Sequence, residues 1–158
     1  MYRIAAPAAL AAALALTACA PHDGPARDTS VPMHSLADYG PARLAGTWHP
    51  VAGTAGCRAA GPVRFAESGG RLVAEGTLCG ARLRGPVAFT APGRFSAAPI
   101  SEPLWVLWAD ADDRTLVLGT PSGRIGAILD RSPRPSPDRM RAAQEILAWN
   151  GYTPGAVD

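Results

Sequence analysis

Three short apolar runs stand close together between Pro103 and Arg131, in PLWVLWADADDRTLVLGTPSGRIGAILDR. They span 104–109, 115–119 and 124–130, each of strand length and each bounded by charged residues, Pro or Gly. The connection 110–114 is rich in Asp, whose short side chains bond the local backbone and favour turns. The connection 120–123 pairs Pro121, which fixes φ, with Gly123, which tolerates positive φ. The stretch reads as a meander of three antiparallel strands. Trp105, Leu107 and Ala109 share one face of its first strand and Leu104, Val106 and Trp108 the other, so both faces are apolar. A half-solvated sheet alternates more cleanly, so the outside of this meander is expected to be covered as well as the inside. A cover follows at once. Ser136-Pro137-Asp138 supplies an N-cap, a Pro for the first helical position and a first-turn carboxylate, and Asn150-Gly151 is a stop. Between them Met140, Ala143 and Leu147 form an apolar stripe with Ile146 and Trp149 beside it.

Upstream, strands are expected at 46–52, 62–66, 71–78, 82–90 and 94–97, with Glu67-Ser68-Gly69-Gly70 and Ala91-Pro92-Gly93 as turns. Eight short strands with Gly/Pro punctuation are the signature of a sandwich or a barrel, and closure would remove the edges on which open sheets aggregate.

The first 18 residues read as a secretory signal: Arg3, an apolar run from Ile4 to Leu16, then small residues. The run is shorter than the roughly 20 apolar residues a bilayer-spanning helix needs. Leu16-Thr17-Ala18-Cys19 looks like a bacterial lipobox, which implies a diacylglycerol on Cys19 and a membrane-anchored mature chain. Ala20 in place of Asp favours the outer membrane, with the protein facing the periplasm. Residues 19–42 carry Pro, Gly, Asp and Ser without apolar periodicity and are expected to be a flexible tether ahead of a domain at 43–158. Lipidation of Cys19 leaves Cys57 and Cys79 as an even pair in an oxidising compartment, and their spacing excludes a CxxC redox or metal site.

The remaining chemistry is sparse. A formal net charge of +2 is too nearly neutral for a nucleic-acid partner. All 15 cationic side chains are Arg, which removes Schiff-base lysines, and no Gly-rich phosphate loop is present. His22, His34 and His49 are scattered, with no acidic spacing to make a metal site and no Ser placed as a nucleophile. Asp110, Asp112 and Arg131 lie at turns, where such residues are usually solvated or capping. No enzyme, metal or cofactor is expected.

Gly46-Thr47-Trp48, Gly56-Cys57 with Cys79, Pro92-Gly93-Arg94-Phe95, the 103–131 stretch and the closing Asn150-Gly151-Tyr152 together resemble the bacterial lipocalins, relatives of apolipoprotein D. The resemblance covers about 43–155, in shortened form. It implies an all-β, eight-stranded antiparallel up-and-down barrel with a C-terminal α-helix packed on its outside. In that topology the loops after strands one, three, five and seven share one mouth, so Cys57 and Cys79 can meet there. At the opposite floor, Gly46, Trp48, Asp110 and Arg131 would be structural, with the Arg131 guanidinium over Trp48. The implied function is binding of a small hydrophobic ligand or lipid, a fatty acid or lysophospholipid, for storage, transport or membrane maintenance. Alternation offers Trp48, Phe65, Leu72, Leu83, Phe89, Phe95, Trp105 and Leu107 as interior ligand-lining residues. The competing expectation is a periplasmic protease-inhibitor-like or partner-binding barrel with a filled core and no ligand.

Overall fold

The computed structural model describes residues 25–58 and 60–157. A one-turn helix α1 (Pro41–Leu44) precedes eight strands: β1 (Gly46–Gly53), β2 (Val63–Ser68), β3 (Arg71–Leu78), β4 (Ala81–Ala91), β5 (Arg94–Ala97), β6 (Leu104–Ala109), β7 (Thr115–Gly119) and β8 (Gly126–Asp130). Helix α2 (Pro137–Trp149) follows. Each strand pairs antiparallel with the next and β8 pairs back onto β1, which closes the up-and-down barrel. β1 is shared between the two ends of the sheet, giving Gly46–Trp48 to β2 and His49–Gly53 to β8. A bulge between Pro50 and Ala52 interrupts the second of these ladders, beside a proline that has no N–H to give.

Two cores result. Inside the barrel lie Trp48, Phe65, Leu83, Phe95, Leu104, Leu116, Leu118 and Leu129, together with smaller residues. Outside it, Leu107, Val117 and Ile128 from the meander pack with Ala143 and Leu147 of α2 and with Tyr152 and Val157 beyond it. The expected double cover is therefore present: β7 and β8 are buried at every position.

Helix α2 starts where its cap predicts, Ser136 accepting a hydrogen bond from the Arg139 amide at 3.4 Å, and ends at Asn150 before Gly151 at φ +87°. Arg139 reaches down to the sheet, donating to Thr115 Oγ1 at 2.8 Å and to the buried Asp130 carboxylate at 3.3 Å. Trp149, grouped with the apolar stripe in the sequence, stands 72% exposed. Tyr152 locks the far end. Its hydroxyl donates to Ile125 O at 2.6 Å and accepts from the Thr120 amide at 3.0 Å. Its ring lies on the cross-strand pair Gly119 and Gly126, where a Cβ on Gly126 would come within 2.4 Å.

Three expectations are corrected. Residues 25–42 do not hang free as part of a tether. Arg27, only 3% exposed, donates to the carbonyls of Asn150 (2.7 Å), Pro121 (3.0 Å) and Val31, and Leu36 donates to Val106 O at 2.8 Å. The segment is a strap along the outside of the barrel. Secondly, the end of that expected tether is helical, because Pro41 starts one turn that carries Leu44 under Trp48. Thirdly, Trp105 and Leu107 face the outer core and not the interior. Leu104 and Val106 point inward, which places Trp105 and Leu107 outward by alternation, and a bulge between Val106 and Trp108 then turns Trp108 outward and Ala109 inward. Arg94 then covers the Trp105 ring from 3.6 Å. Cys19 and the signal segment lie outside the described residues.

Candidate functional site

The barrel offers a wall, a floor and a mouth. On the wall, Trp48, Phe65, Leu72, Leu83, Phe89 and Phe95 all belong to or pack against the inner cluster, whereas Trp105 and Leu107 do not. Strand alternation brings them inward, and the inner face is apolar throughout. It is also close-packed. Phe95 meets the edge of Phe65 with centroids 6.1 Å apart and stacks on Phe89 at 5.4 Å. Side chains from Trp48, Val63 and Phe65 across to Leu116, Leu118 and Leu129 are 1% exposed or less. Side chains lining an open cup would be reachable by a water-sized sphere, and these are not.

The floor is sealed twice. Arg131 lies 3.6 Å above the Trp48 centroid and donates to the backbone carbonyls of Thr47, Arg43 and Asp113. Burial draws its pKa below the usual arginine value. Gly46 is required beside it, since a Cβ there would fall 2.5 Å from Arg131 Nη1 and its φ of +109° suits only glycine. Below Trp48 comes the strap. Trp48 Nε1 donates to Leu44 O at 2.8 Å, and the Tyr39 ring, 1% exposed, sits under Arg43, which grips Asp113. Burial, reinforced by the nearby Asp113 charge, pushes the Tyr39 phenol far above its ordinary value. Its hydroxyl has no partner among the described residues. Asp110 closes the β6–β7 turn by accepting from the amides of Arg114 (2.5 Å) and Thr115 (2.8 Å), while Asp112 pairs with Arg114. These carboxylates are turn caps, each engaged locally. The positions of Tyr39 and Arg27 were not legible beforehand, because single anchor residues in a Pro/Gly-rich stretch make no periodic pattern.

At the mouth, Cys57 in the β1–β2 loop is bonded to Cys79 in the β3–β4 turn, the pairing the topology allows. Val87 and Ile125 (each 8% exposed) and the half-buried Ala81, Cys79 and Ile100 are inner-cluster side chains that solvent reaches from this region. They form a shallow apolar recess above a filled interior.

Three cavities formed by described residues lie elsewhere. One of about 450 Å³ sits at the floor rim between 37–41 of the strap and the β4–β5 turn. One of about 310 Å³ lies between α2 and the C-terminal tail, lined by Leu147, Tyr152 and Val157. A third, about 280 Å³, is lined by His49, Arg58 and Pro133. His34 and His49 join no metal-binding cluster among the described residues, and His22 lies outside them.

No protein-family model and no curated protein sequence matches this chain. Solved structures do. Insecticyanin from the tobacco hornworm Manduca sexta superposes with a TM-score of 0.56 at 12% identity, covering 74% of this chain and 76% of its own. Lobster apocrustacyanin A1 superposes with a TM-score of 0.54 at 15% identity and the same coverage. Both are lipocalins. The chain has the lipocalin fold. At these identities the likeness is one of architecture: the closed eight-stranded barrel and the helix packed against it are shared, while the filled interior belongs to this chain's own residues.

Proposed function

We propose that this protein is a non-catalytic binding barrel of the lipocalin fold, held at the outer membrane by an acylated Cys19, that takes a small hydrophobic or amphiphilic molecule at its mouth. The carrying observation is the apolar inner face of a closed barrel, which solvent reaches at the mouth where Val87, Ile125 and Ile100 line the recess. Burying an alkyl chain there yields about 0.8 kcal/mol per methylene. A chain that goes deeper must displace Phe95 and its neighbours, so each further methylene gains less. The consequence is a preference for short or single-chain amphiphiles over long ones. Cys19 supports the membrane setting through the order of residues around it.

The sealed interior favours a second reading, a barrel that acts through its outer surface and holds no ligand. One titration separates the two. Fatty acids and lysophospholipids of increasing chain length are added to the protein while tryptophan emission and melting temperature are followed. Saturable binding that raises the melting temperature and is strongest for the shorter chains supports the ligand reading. No response at any chain length leaves the filled barrel.

A further inference from the structure

The two ends of the barrel differ in charge and in what is attached to them. Every ion pair among the described residues lies at the floor end or on the first turns of α2: Arg43 with Asp38 and Asp113, Arg114 with Asp110 and Asp112, Arg139 with Asp130, and Arg141 with Asp138. Arg71 and Arg134, also exposed and without an ion pair among the described residues, stand at the floor end beside Glu67 and these carboxylates; the mouth has fewer acids. Arg82 just past the β3–β4 turn and Arg124 in the β7–β8 turn are exposed, and neither forms an ion pair among the described residues. The acid in the mouth loops, Glu102, is held by Ser122.

Helix α2 rises from the floor and ends at the mouth, because Arg27 joins Asn150 O at its C-terminus to Pro121 O in the β7–β8 turn. Trp149, one residue before that junction, is the exposed large apolar side chain of the described residues, at 72%. The chain from the N-terminus is fixed at the same place: Thr153 donates to Ala26 O at 2.9 Å and Asp28 donates to Gly151 O at 2.8 Å. Seven residue steps separate Cys19 from Ala26, a leash of at most about 25 Å. Acyl chains on Cys19 would therefore bring the mouth, and not the floor, to the bilayer.

We propose that the mouth end is a membrane-docking face for an anionic phospholipid surface, with Trp149 entering the interfacial region and Arg82 and Arg124 facing the head groups. Trp is suited to this depth, since its ring is apolar and its N–H polar. Unpaired arginines are attracted by anionic lipid and screened by salt. The docking rests on the anchored reading above and adds to it an orientation: the recess opens toward the lipid it would sample.

The test uses the full lipoprotein, purified from membranes and reconstituted on vesicles of phosphatidylethanolamine and phosphatidylglycerol with brominated acyl chains. Mass spectrometry of the N-terminal peptide and flotation come first. Absence of acyl chains on Cys19 overturns the anchored reading, and the docking with it. With acylation and flotation established, the expected result is a blue-shifted, bromine-quenched emission whose quenched component is lost in Trp149→Phe. A floor-end reporter, Ser68→Trp in that background, should stay unquenched. Changing Arg82 and Arg124 together to Gln should reduce the Trp149 quenching on phosphatidylglycerol vesicles to the level seen on phosphatidylcholine alone. Quenching unchanged by Trp149→Phe, a quenched Ser68→Trp reporter, or an arginine double variant that keeps its lipid preference would each overturn the docking while leaving the anchor intact.

Discussion

The two sides of this barrel are stabilised differently. Strands β6 to β8 lie between two cores, and β7 and β8 have no exposed position at all. Strands β2 to β4 alternate, with Arg64, Glu75, Arg82 and Arg84 outward in water and one core behind them. What the second side lacks in cover it has in a covalent tie, Cys57 to Cys79, which joins the loop before β2 to the turn before β4. A helix at the C-terminus can shield only the strands it crosses. The remainder of the closed sheet must find stability in the interior, which gives a physical reason for that interior to be full.

The largest effect should come from truncating a residue that serves the doubly covered side. Ile128, fully buried between β8 and α2, should cost about 2–5 kcal/mol on change to Ala. The half-buried, outward-facing Val73 of β3 should cost no more than about 1 kcal/mol on the same change. Urea unfolding of both variants measures the gap, and equal losses would show that the outer core adds nothing. Reduction of the cystine comes next. Its sequence separation of 22 residues corresponds to about 3 kcal/mol in the chain-entropy treatment. Amide exchange should accelerate in β2 to β4 and stay slow in β7 and β8; uniform acceleration would deny the division of labour.

Strand positions were legible because Gly and Pro mark the turns and each run has strand length. The double cover of the meander was legible for a related reason: apolar residues on both faces of β6 demand it. The direction of Trp105 and Leu107 was not. Leu104 to Leu107 alternate regularly with apolar side chains on both faces, so alternation does not say which face is the inner one; the bulge beyond them then turns Trp108 outward and Ala109 inward. The strap was hidden differently. Arg27, Met33, Leu36 and Tyr39 each make contacts with distant elements at irregular intervals, so the segment has the composition of a linker and the burial of a domain. Filling of the cup depends on how Phe65, Phe89 and Phe95 interlock, which their spacing in sequence does not encode.

The seam between the two sides is β1, and Arg131 over Trp48 closes it from below. Arg131→Met keeps much of the stem but removes the cation and its bonds to three carbonyls, so the loss should be at least the roughly 1–2 kcal/mol of a desolvated cation–π contact. Because β1 pairs with both β2 and β8, amide exchange should rise on both sides together. A rise confined to one side would place the contact outside the seam.

The smallest effect concerns two tyrosines, one on each side of that seam. Burial raises the pKa of both Tyr39 and Tyr152 above the ordinary value of 10.0. The neutral phenol is thus the folded form's preference. Its stabilising contribution is complete below pH 10, where the unfolded chain also keeps the proton, and is lost as the pH climbs from there toward the folded-state value. Their hydroxyls differ. Tyr152 bonds to Ile125 O and the Thr120 amide, so Tyr152→Phe should lower the melting temperature at neutral pH. The Tyr39 hydroxyl is buried without a partner, so Tyr39→Phe should be neutral or stabilising by up to about 1 kcal/mol at pH 7. Above pH 10 it should melt progressively higher than the parent, since the group that would have to ionise at the floor is gone. Melting curves from pH 7 to 11 test both. A Tyr39→Phe variant that is destabilised at pH 7, or that follows the parent's alkaline decline, would mean that the hydroxyl is solvated in solution and that the floor beneath Trp48 is less tightly closed than the strap makes it.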